Sequence, residues 1–192
     1  MNGKIILVEG CEATGKSTLC KNLVEKYNGF YYHCPSGLTD VTKEVYKLIG
    51  SRKMAEETKK LLIMATHIEN INNMNKLKES GETIICDRSL LSAYAYQHFS
   101  LSTFFNFLND NGIPQLNVDH TFVLTANIET IKERLNKRGK DTGDIYFLAN
   151  MERIINKYNN DYDELYPNAH KLNTTIKDKE TIFKKVVQII EN

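Results

Sequence analysis

Gly10-Cys11-Glu12-Ala13-Thr14-Gly15-Lys16-Ser17-Thr18 is the stretch that decides the fold. It fits G-x-x-x-x-G-K-[ST] and follows the apolar run Ile5-Ile6-Leu7-Val8. Behind it Leu19, Leu23, Val24 and Tyr27 recur at helical spacing. The pattern therefore stands where its mechanism needs it, between a buried strand and an amphipathic helix. Backbone N–H groups of such a loop, together with the helix N-terminus, form a concave anion site. Lys16 reaches the terminal phosphates, and Ser17 holds a Mg²⁺ that bridges them. Gly10 and Gly15 let the backbone approach a phosphate with no Cβ in the way. The expectation is a site for a nucleoside triphosphate, with Gly10 to Thr18 as its phosphate contacts.

Bulk properties narrow the class. The chain has 192 residues, enough for one domain with a full core. Its formal net charge is +1, and no long basic run or membrane-length apolar run occurs, so neither nucleic acid nor membrane is an expected partner. Cys11, Cys20, Cys34 and Cys86 form no C-x-x-C pair, which fits reduced thiols in a cytoplasmic protein better than a disulfide framework or a structural metal site. The N-terminal apolar stretch is about five residues, too short for a signal peptide.

Outward from the loop, short apolar segments alternate with helical ones. Strands are expected near Lys4–Val8, Phe30–His33, Thr83–Cys86, His120–Leu124 and Ala169–Leu172. Helices are expected near Lys16–Tyr27, Val41–Ile49, Ala55–Glu79, Ser89–Asn111, Ile128–Lys137, Ile145–Asp163 and Lys179–Ile190. That order predicts an α/β three-layer sandwich with a parallel sheet between helices. The charged segment 137–144, with Gly139 and Gly143 as hinges, is the expected lid. Leu148, Met151, Ile155, Tyr158 and Tyr162 form one apolar stripe; Ile182, Phe183, Val186, Val187 and Ile190 form another. Both are read as core faces.

A second cluster sits where Thr83-Ile84-Ile85-Cys86 runs into Asp87-Arg88-Ser89. An acid at the end of a buried parallel strand faces the ligand side of the sheet and can organise a Mg²⁺ shell, and the adjacent arginine can neutralise a phosphoryl oxygen. The bland alternative is an Asp–Arg pair that caps the next helix.

From Asp87 the chain reads Asp87-Arg88-Ser89-Leu90-Leu91-Ser92-Ala93-Tyr94-Ala95-Tyr96-Gln97, which resembles the D-R-Y-x-x-S-x-x-A-Y-Q signature of thymidylate kinases. Val8-Glu9 with the loop, and Asp119 to Leu124 followed by Ile131, Arg134-Leu135 and Arg138-Gly139, are similar to the same family. The resemblance implies a P-loop NTPase-type sheet of five parallel strands, nucleoside monophosphate kinase-like, in a homodimer. It implies transfer of the ATP γ-phosphoryl group to a deoxynucleoside 5′-monophosphate, dTMP first, with Mg²⁺ as cofactor. Catalytic roles fall to Lys16, Asp87, Arg88 and Arg138, with the metal at Ser17 and Asp87. Arg134 joins the loop at ATP. The acceptor is expected at Glu12, beside its sugar 3′-hydroxyl, at Arg88 on its phosphate, and at Tyr96 against its sugar. Pro35, Ile63, Met64, His67, Ser92 and Gln97 complete the acceptor set. Between Gly10 and Gly15 there is no arginine, so the lid cluster of Arg134, Lys137, Arg138 and Lys140 is expected to supply one; otherwise that cluster is a solvated charged face.

The departures from the family pattern concern the acceptor. Where members carry R-E-P-G-G-T the chain has His33-Cys34-Pro35-Ser36-Gly37-Leu38-Thr39, so a fixed cation and a carboxylate are replaced by His33 and Cys34. Where members carry L-L-F-x-A-x-R-x-x-H it has Leu61-Leu62-Ile63-Met64-Ala65-Thr66-His67-Ile68-Glu69-Asn70. Ile63 stands for the stacking aromatic and His67 for the base-reading arginine, sharing a face with Asn70. In the lid, Asp141-Thr142-Gly143-Asp144 stands where D-R-x-E is usual. The reading is a kinase of altered or relaxed base preference. Two alternatives stay open: a deoxynucleoside kinase, whose catalytic carboxylate is absent beside Cys34-Pro35, and a nucleotide-binding module without transfer chemistry.

Overall fold

The structure is a computed structural model and describes residues 3–51, 53–139 and 142–192, with the side chains of 142 and 143 outside the description. Its order is β1 (Lys4–Gly10), α1 (Lys16–Tyr27), β2 (Phe30–His33), α2 (Asp40–Ser51), α3 (Glu56–Glu79) and β3 (Thr83–Asp87). Next come α4 (Leu90–Tyr96), α5 (Leu101–Asp110), β4 (His120–Thr125), α6 (Ile128–Arg138) and α7 (Thr142–Ala149). The chain ends with α8 (Met151–Asn160), α9 (Tyr162–Leu165), β5 (His170–Asn173) and α10 (Lys179–Glu191).

Five strands form one sheet in the order β2-β3-β1-β4-β5, with every neighbouring pair parallel. Strand side chains alternate between faces, and both faces are covered, so β1 reads as an unbroken apolar run. Ile5 and Leu7 join Ile84, Cys86 and Val123 on the face packed with Met64, Leu91 and Tyr158. Ile6 and Val8 join Ile85, Phe122 and Leu124 on the other, packed with Leu19, Leu23 and Val186. All five strands thus deliver their C-terminal ends to one rim, where α/β sheets bind ligands. No described helix is long and apolar enough to cross a membrane.

Two expected helices are each divided. The segment expected as Ser89–Asn111 is α4 and α5, separated at Gln97–Ser100. There His98 takes a left-handed backbone, φ 58°, and Ser100 starts a new helix by accepting the Thr103 N–H at 3.2 Å. The segment expected as Ile145–Asp163 is α7, α8 and α9, interrupted at Asn150 and Asp161, and it begins earlier, at Thr142. Gly143 therefore falls inside α7, while Gly139, φ 81°, ends α6. Lys140 and Asp141 of the expected lid lie outside the described residues.

Candidate active site

The loop between β1 and α1 is shaped by its glycines. At Gly10, φ 145°, a Cβ would lie 2.4 Å from the Leu124 carbonyl oxygen and 2.9 Å from Thr14 Oγ1. Gly15, φ 98°, precedes α1 with no side-chain cap, leaving the helix's first N–H groups aimed into the loop. Thr14 Oγ1 donates to the Cys11 carbonyl at 2.9 Å, and Lys16 Nζ donates to the same carbonyl at 2.8 Å. Burial and the nearby Arg88 push the Lys16 ammonium below its ordinary range, while Glu12 and Asp87 pull it back.

Ser17 and Asp87 meet across the rim: Ser17 Oγ donates to Asp87 Oδ2 at 2.9 Å. Tyr31, at the middle of β2, donates its hydroxyl to the same oxygen at 2.9 Å. The other oxygen, Asp87 Oδ1, is buried without a hydrogen-bond partner. A buried carboxylate oxygen left open beside a serine hydroxyl and the phosphate loop fits Mg²⁺, which takes oxygen ligands and draws its remaining ones from phosphate and water. Asp87 is buried and caps no helix. The N–H of Ser89 at the start of α4 is taken instead by Glu9 Oε1 at 2.6 Å.

Arg88 sits in the left-handed region, φ 75°, which costs about 1–3 kcal/mol for a residue with a Cβ. Its N–H donates to the Val8 carbonyl at 3.0 Å. Its guanidinium is fixed on every side: NH1 donates to the Gly10 carbonyl at 3.1 Å, to Ser92 Oγ at 3.2 Å and to Tyr158 OH at 3.4 Å. NH2 pairs with Glu12 Oε1 at 2.6 Å. Tyr96 OH donates to that same oxygen at 3.2 Å, and its ring lies 5.2 Å beneath the Arg88 guanidinium. Burial alone would raise the Glu12 carboxyl, but Arg88, Lys16 and Arg138 outweigh it and hold Glu12 at about 2.

Arg134 and Arg138 of α6 flank the other side. Arg134 donates to the Ala13 carbonyl at 3.1 Å and to the Thr174 carbonyl at 2.7 Å. It thereby walls a cavity of about 280 Å³ lined also by Gly15, Thr18 and Lys177. Arg138 pairs with the buried Asp144 at 2.5 Å, tying the end of α6 to α7.

On the β2 side, Asn70 Nδ2 holds the Pro35 carbonyl at 2.9 Å, and Tyr32 OH donates to Asn70 Oδ1 at 3.1 Å. Both functional ends of Asn70 are thus engaged in bracing the 34–37 turn. Ile63, Met64 and His67 are all buried on α3. The His67 imidazole lies against the Cys34 thiol, with Nδ1 buried and unpartnered. His33 hydrogen-bonds Ser36 Oγ at 3.2 Å, and burial keeps its imidazole below the ordinary range despite the pull of Asp87. At neutral pH His33 is uncharged and does not replace an arginine. Gln97 ends α4, half-buried.

The structure brings Lys16, Ser17, Glu12, Asp87, Arg88 and Tyr96 to one rim. Ser92 it turns inward: its hydroxyl donates to Glu9 Oε2 at 2.7 Å and accepts from Arg88. Four residues not expected among the site residues complete the site: Tyr31, Thr174, Glu9 of the family-like Val8-Glu9 stretch, and Tyr158 of the apolar stripe. Tyr31 and Thr174 lie in or just beyond strands at the ligand-bearing rim, a placement the strand assignments carried. Neither the Val8-Glu9 stretch nor the apolar stripe that contains Tyr158 signals a polar contact around Arg88.

The thymidylate kinase family model matches residues 8–189. A probable thymidylate kinase of Methanocaldococcus jannaschii is 27% identical over 195 aligned residues that cover 100% of this chain and 98% of that one. The thymidylate kinase of Malacoplasma penetrans is 28% identical over 167 aligned residues, 81% of this chain and 75% of that one. Among solved structures, the thymidylate kinase of Candida albicans superposes with a TM-score of 0.79 at 21% identity, covering 99% of this chain and 92% of that one. A match of that extent, over a sheet and rim built as described, makes this chain a member of the thymidylate kinase family.

Proposed function

We propose that the protein transfers the γ-phosphoryl group of Mg²⁺–ATP to a deoxynucleoside 5′-monophosphate, with dTMP as the principal acceptor and a base preference broader than dTMP alone. The observation that carries this reading is the convergence of two cations on one turn. Arg88 is anchored on the Gly10 carbonyl at 3.1 Å and Lys16 on the Cys11 carbonyl at 2.8 Å, consecutive residues of the phosphate loop. Two buried cations anchored on adjacent carbonyls suit the neutralisation of a phosphoryl group in flight, and phosphoryl transfer needs positioning and charge neutralisation more than a covalent nucleophile.

In this reading the loop N–H groups and Lys16 hold the donor phosphates, and Arg134 closes the donor side. Ser17 and Asp87 hold Mg²⁺, which when bound neutralises charge on the donor's terminal oxygens. Arg88 exchanges its Glu12 carboxylate for the acceptor's phosphate, freeing Glu12 to accept from the sugar 3′-hydroxyl. Tyr96 packs against C2′ and disfavours ribose. Arg138 of the 137–144 lid adds the last cation as water is excluded. Ile63 and His67, with Pro35, form the base side, backed by the core residue Met64; Ser92 and Gln97 support the helix that carries Tyr96. An imidazole in place of an arginine reads a carbonyl less strictly, because a neutral ring nitrogen either donates or accepts. The reading extends to a cytoplasmic homodimer.

The test is transfer from Mg²⁺–ATP to a panel of dNMPs, rNMPs and free deoxynucleosides. Formation of dTDP together with at least one other dNDP supports the proposal. Exclusive use of dTMP removes the relaxed base preference, and use of nucleosides alone replaces the reading with a deoxynucleoside kinase.

A further inference from the structure

A directed hydrogen-bond chain runs beneath the rim from Arg88 to Glu9. A guanidinium only donates and a carboxylate oxygen accepts, so the chain's polarity is fixed at both ends. Ser92 Oγ donates to Glu9 Oε2 at 2.7 Å. Tyr158 OH lies 2.6 Å from Ser92 Oγ. With the serine proton committed to Glu9, the tyrosine donates to the serine, with Glu9 Oε2 also 3.3 Å from its hydroxyl, and both hydroxyl oxygens accept from Arg88 NH1, at 3.2 Å for Ser92 and 3.4 Å for Tyr158. Glu9 also accepts the N–H of Ser89, immediately after Arg88, at 2.6 Å and that of Ser92, in the first turn of α4, at 3.3 Å. Glu9 thus fixes the backbone that follows the left-handed Arg88 and, through two hydroxyls, the guanidinium itself.

Tyr158 comes from α8, beyond the 137–144 segment. The same helix grips the other end of α4: Arg153 NH1 donates to the Ala95 carbonyl at 2.6 Å and Lys157 Nζ to the Tyr94 carbonyl at 3.1 Å. From α7, Tyr146 OH donates to the Tyr96 carbonyl at 2.7 Å. The helices that follow the expected lid therefore hold Arg88 at the start of α4 and Tyr96 at its end.

We infer that Tyr158 and Glu9 are positioning residues for phosphoryl transfer, Tyr158 by aiming the Arg88 guanidinium at the acceptor phosphate and Glu9 by anchoring the hydroxyl chain that aims it. This rests on the proposed transfer reaction. Neither residue touches a nucleotide; both act through Arg88, and they link the helices beyond the lid to the acceptor site.

The experiment measures kcat, the KM for Mg²⁺–ATP and equilibrium binding of dTMP for Tyr158→Phe and Glu9→Gln, and repeats the binding in an Arg88→Ala background. Loss of one hydrogen bond to a charged group predicts a kcat lower by about tenfold in Tyr158→Phe. Its KM for Mg²⁺–ATP should stay unchanged. In the Arg88→Ala background Tyr158→Phe should leave dTMP binding unaltered, because the group it aims is gone. Unchanged kcat, or equal weakening of dTMP binding in both backgrounds, would overturn the inference and leave the hydroxyl as packing only. If Tyr158→Phe does not accumulate folded, Ser92→Ala removes the hydroxyl that joins Glu9 directly to Arg88, and the same fall in kcat with an unchanged KM for Mg²⁺–ATP is expected, its absence overturning the inference. An unsubstituted protein that transfers phosphate to no dNMP refutes the transfer reading before any variant is compared.

Discussion

Glu12 Oε1 lies 2.6 Å from Arg88 NH2, so a carboxylate of the phosphate loop is paired with the guanidinium to which the proposed reaction assigns the acceptor phosphate. The pair is largely buried, and Glu12 is held at about 2 against the raising effect of burial. A carboxylate whose folded value is depressed stabilises above its unfolded value and loses that contribution as pH falls through the folded one. Glu12 therefore contributes, on the order of 3 kcal/mol, at neutral pH, and the contribution disappears between about pH 4.5 and 2. Urea unfolding against pH should show this acid limb, and Glu12→Gln should flatten it. An identical limb in the variant would mean the pair does not hold Glu12 ionised.

Lys157 gives the same slope in a different window: its lowered value costs stability at neutral pH, and that cost is relieved as pH rises. Burial, with Arg153 beside it, lowers its ammonium to about 8 even though it donates to the Tyr94 and Phe99 carbonyls. Between pH 8 and about 10.4 the unfolded chain binds the proton that the folded chain has released, so this lysine makes stability rise with pH across that window. Lys157→Met should lose the alkaline gain relative to the unsubstituted protein. Melting temperatures at pH 7.5 and 9.5 measure it.

Tyr31 and Ser17 both donate to Asp87 Oδ2, which leaves Oδ1 without a hydrogen-bond partner, the oxygen the proposal assigns to Mg²⁺. Removing the tyrosine hydroxyl loosens the carboxylate without removing a ligand. Groups that orient a metal ligand contribute roughly tenfold or more to metal affinity. Tyr31→Phe should raise the Mg²⁺ concentration giving half-maximal rate by about tenfold. The rate at saturating Mg²⁺ should stay close to that of the unsubstituted protein. The Mg²⁺ dependence of Mn²⁺ displacement from the ATP complex, followed by paramagnetic relaxation, reports the same affinity without turnover.

Gly37 has φ 60°, and a Cβ there would stand 1.9 Å from Asn70 Oδ1. Asn70 holds the Pro35 carbonyl, so the clash falls on the brace of the 34–37 turn. Gly37→Ala should destabilise by about 2 kcal/mol or more through strain and the broken brace. It should also raise the acceptor KM while sparing that of Mg²⁺–ATP. Equal effects on both substrates would detach this turn from the acceptor site.

Much of the architecture was legible because its signals are local. The apolar run of β1, the glycines of the loop and the periodicity of α1 all fall within residues 4–27, and Asp87-Arg88 follows its strand directly. Helix divisions were missed because Gln97, His98 and Phe99 do not break a helix by composition. The available signal was Ser100 three residues before Thr103, an N-cap spacing, and the structure uses it. Glu9 stood in a family-like stretch, but its partners were not legible. Its partners Ser89, Ser92 and Tyr158 lie 80, 83 and 149 residues away, and only the β1–β3 pairing brings the first two to it. Tyr158 fits an apolar stripe because its ring is core, and its one polar atom is what reaches Arg88.

The most direct measurement is equilibrium binding of Mg²⁺–ATP and of dTMP to Arg88→Ala by titration calorimetry, beside the unsubstituted protein. If Arg88 exchanges Glu12 for the acceptor phosphate, dTMP affinity falls by about a hundredfold, as for a truncated buried charge pair, and Mg²⁺–ATP affinity changes little. Undiminished dTMP binding, or loss confined to Mg²⁺–ATP, would contradict the account and move Arg88 to the donor.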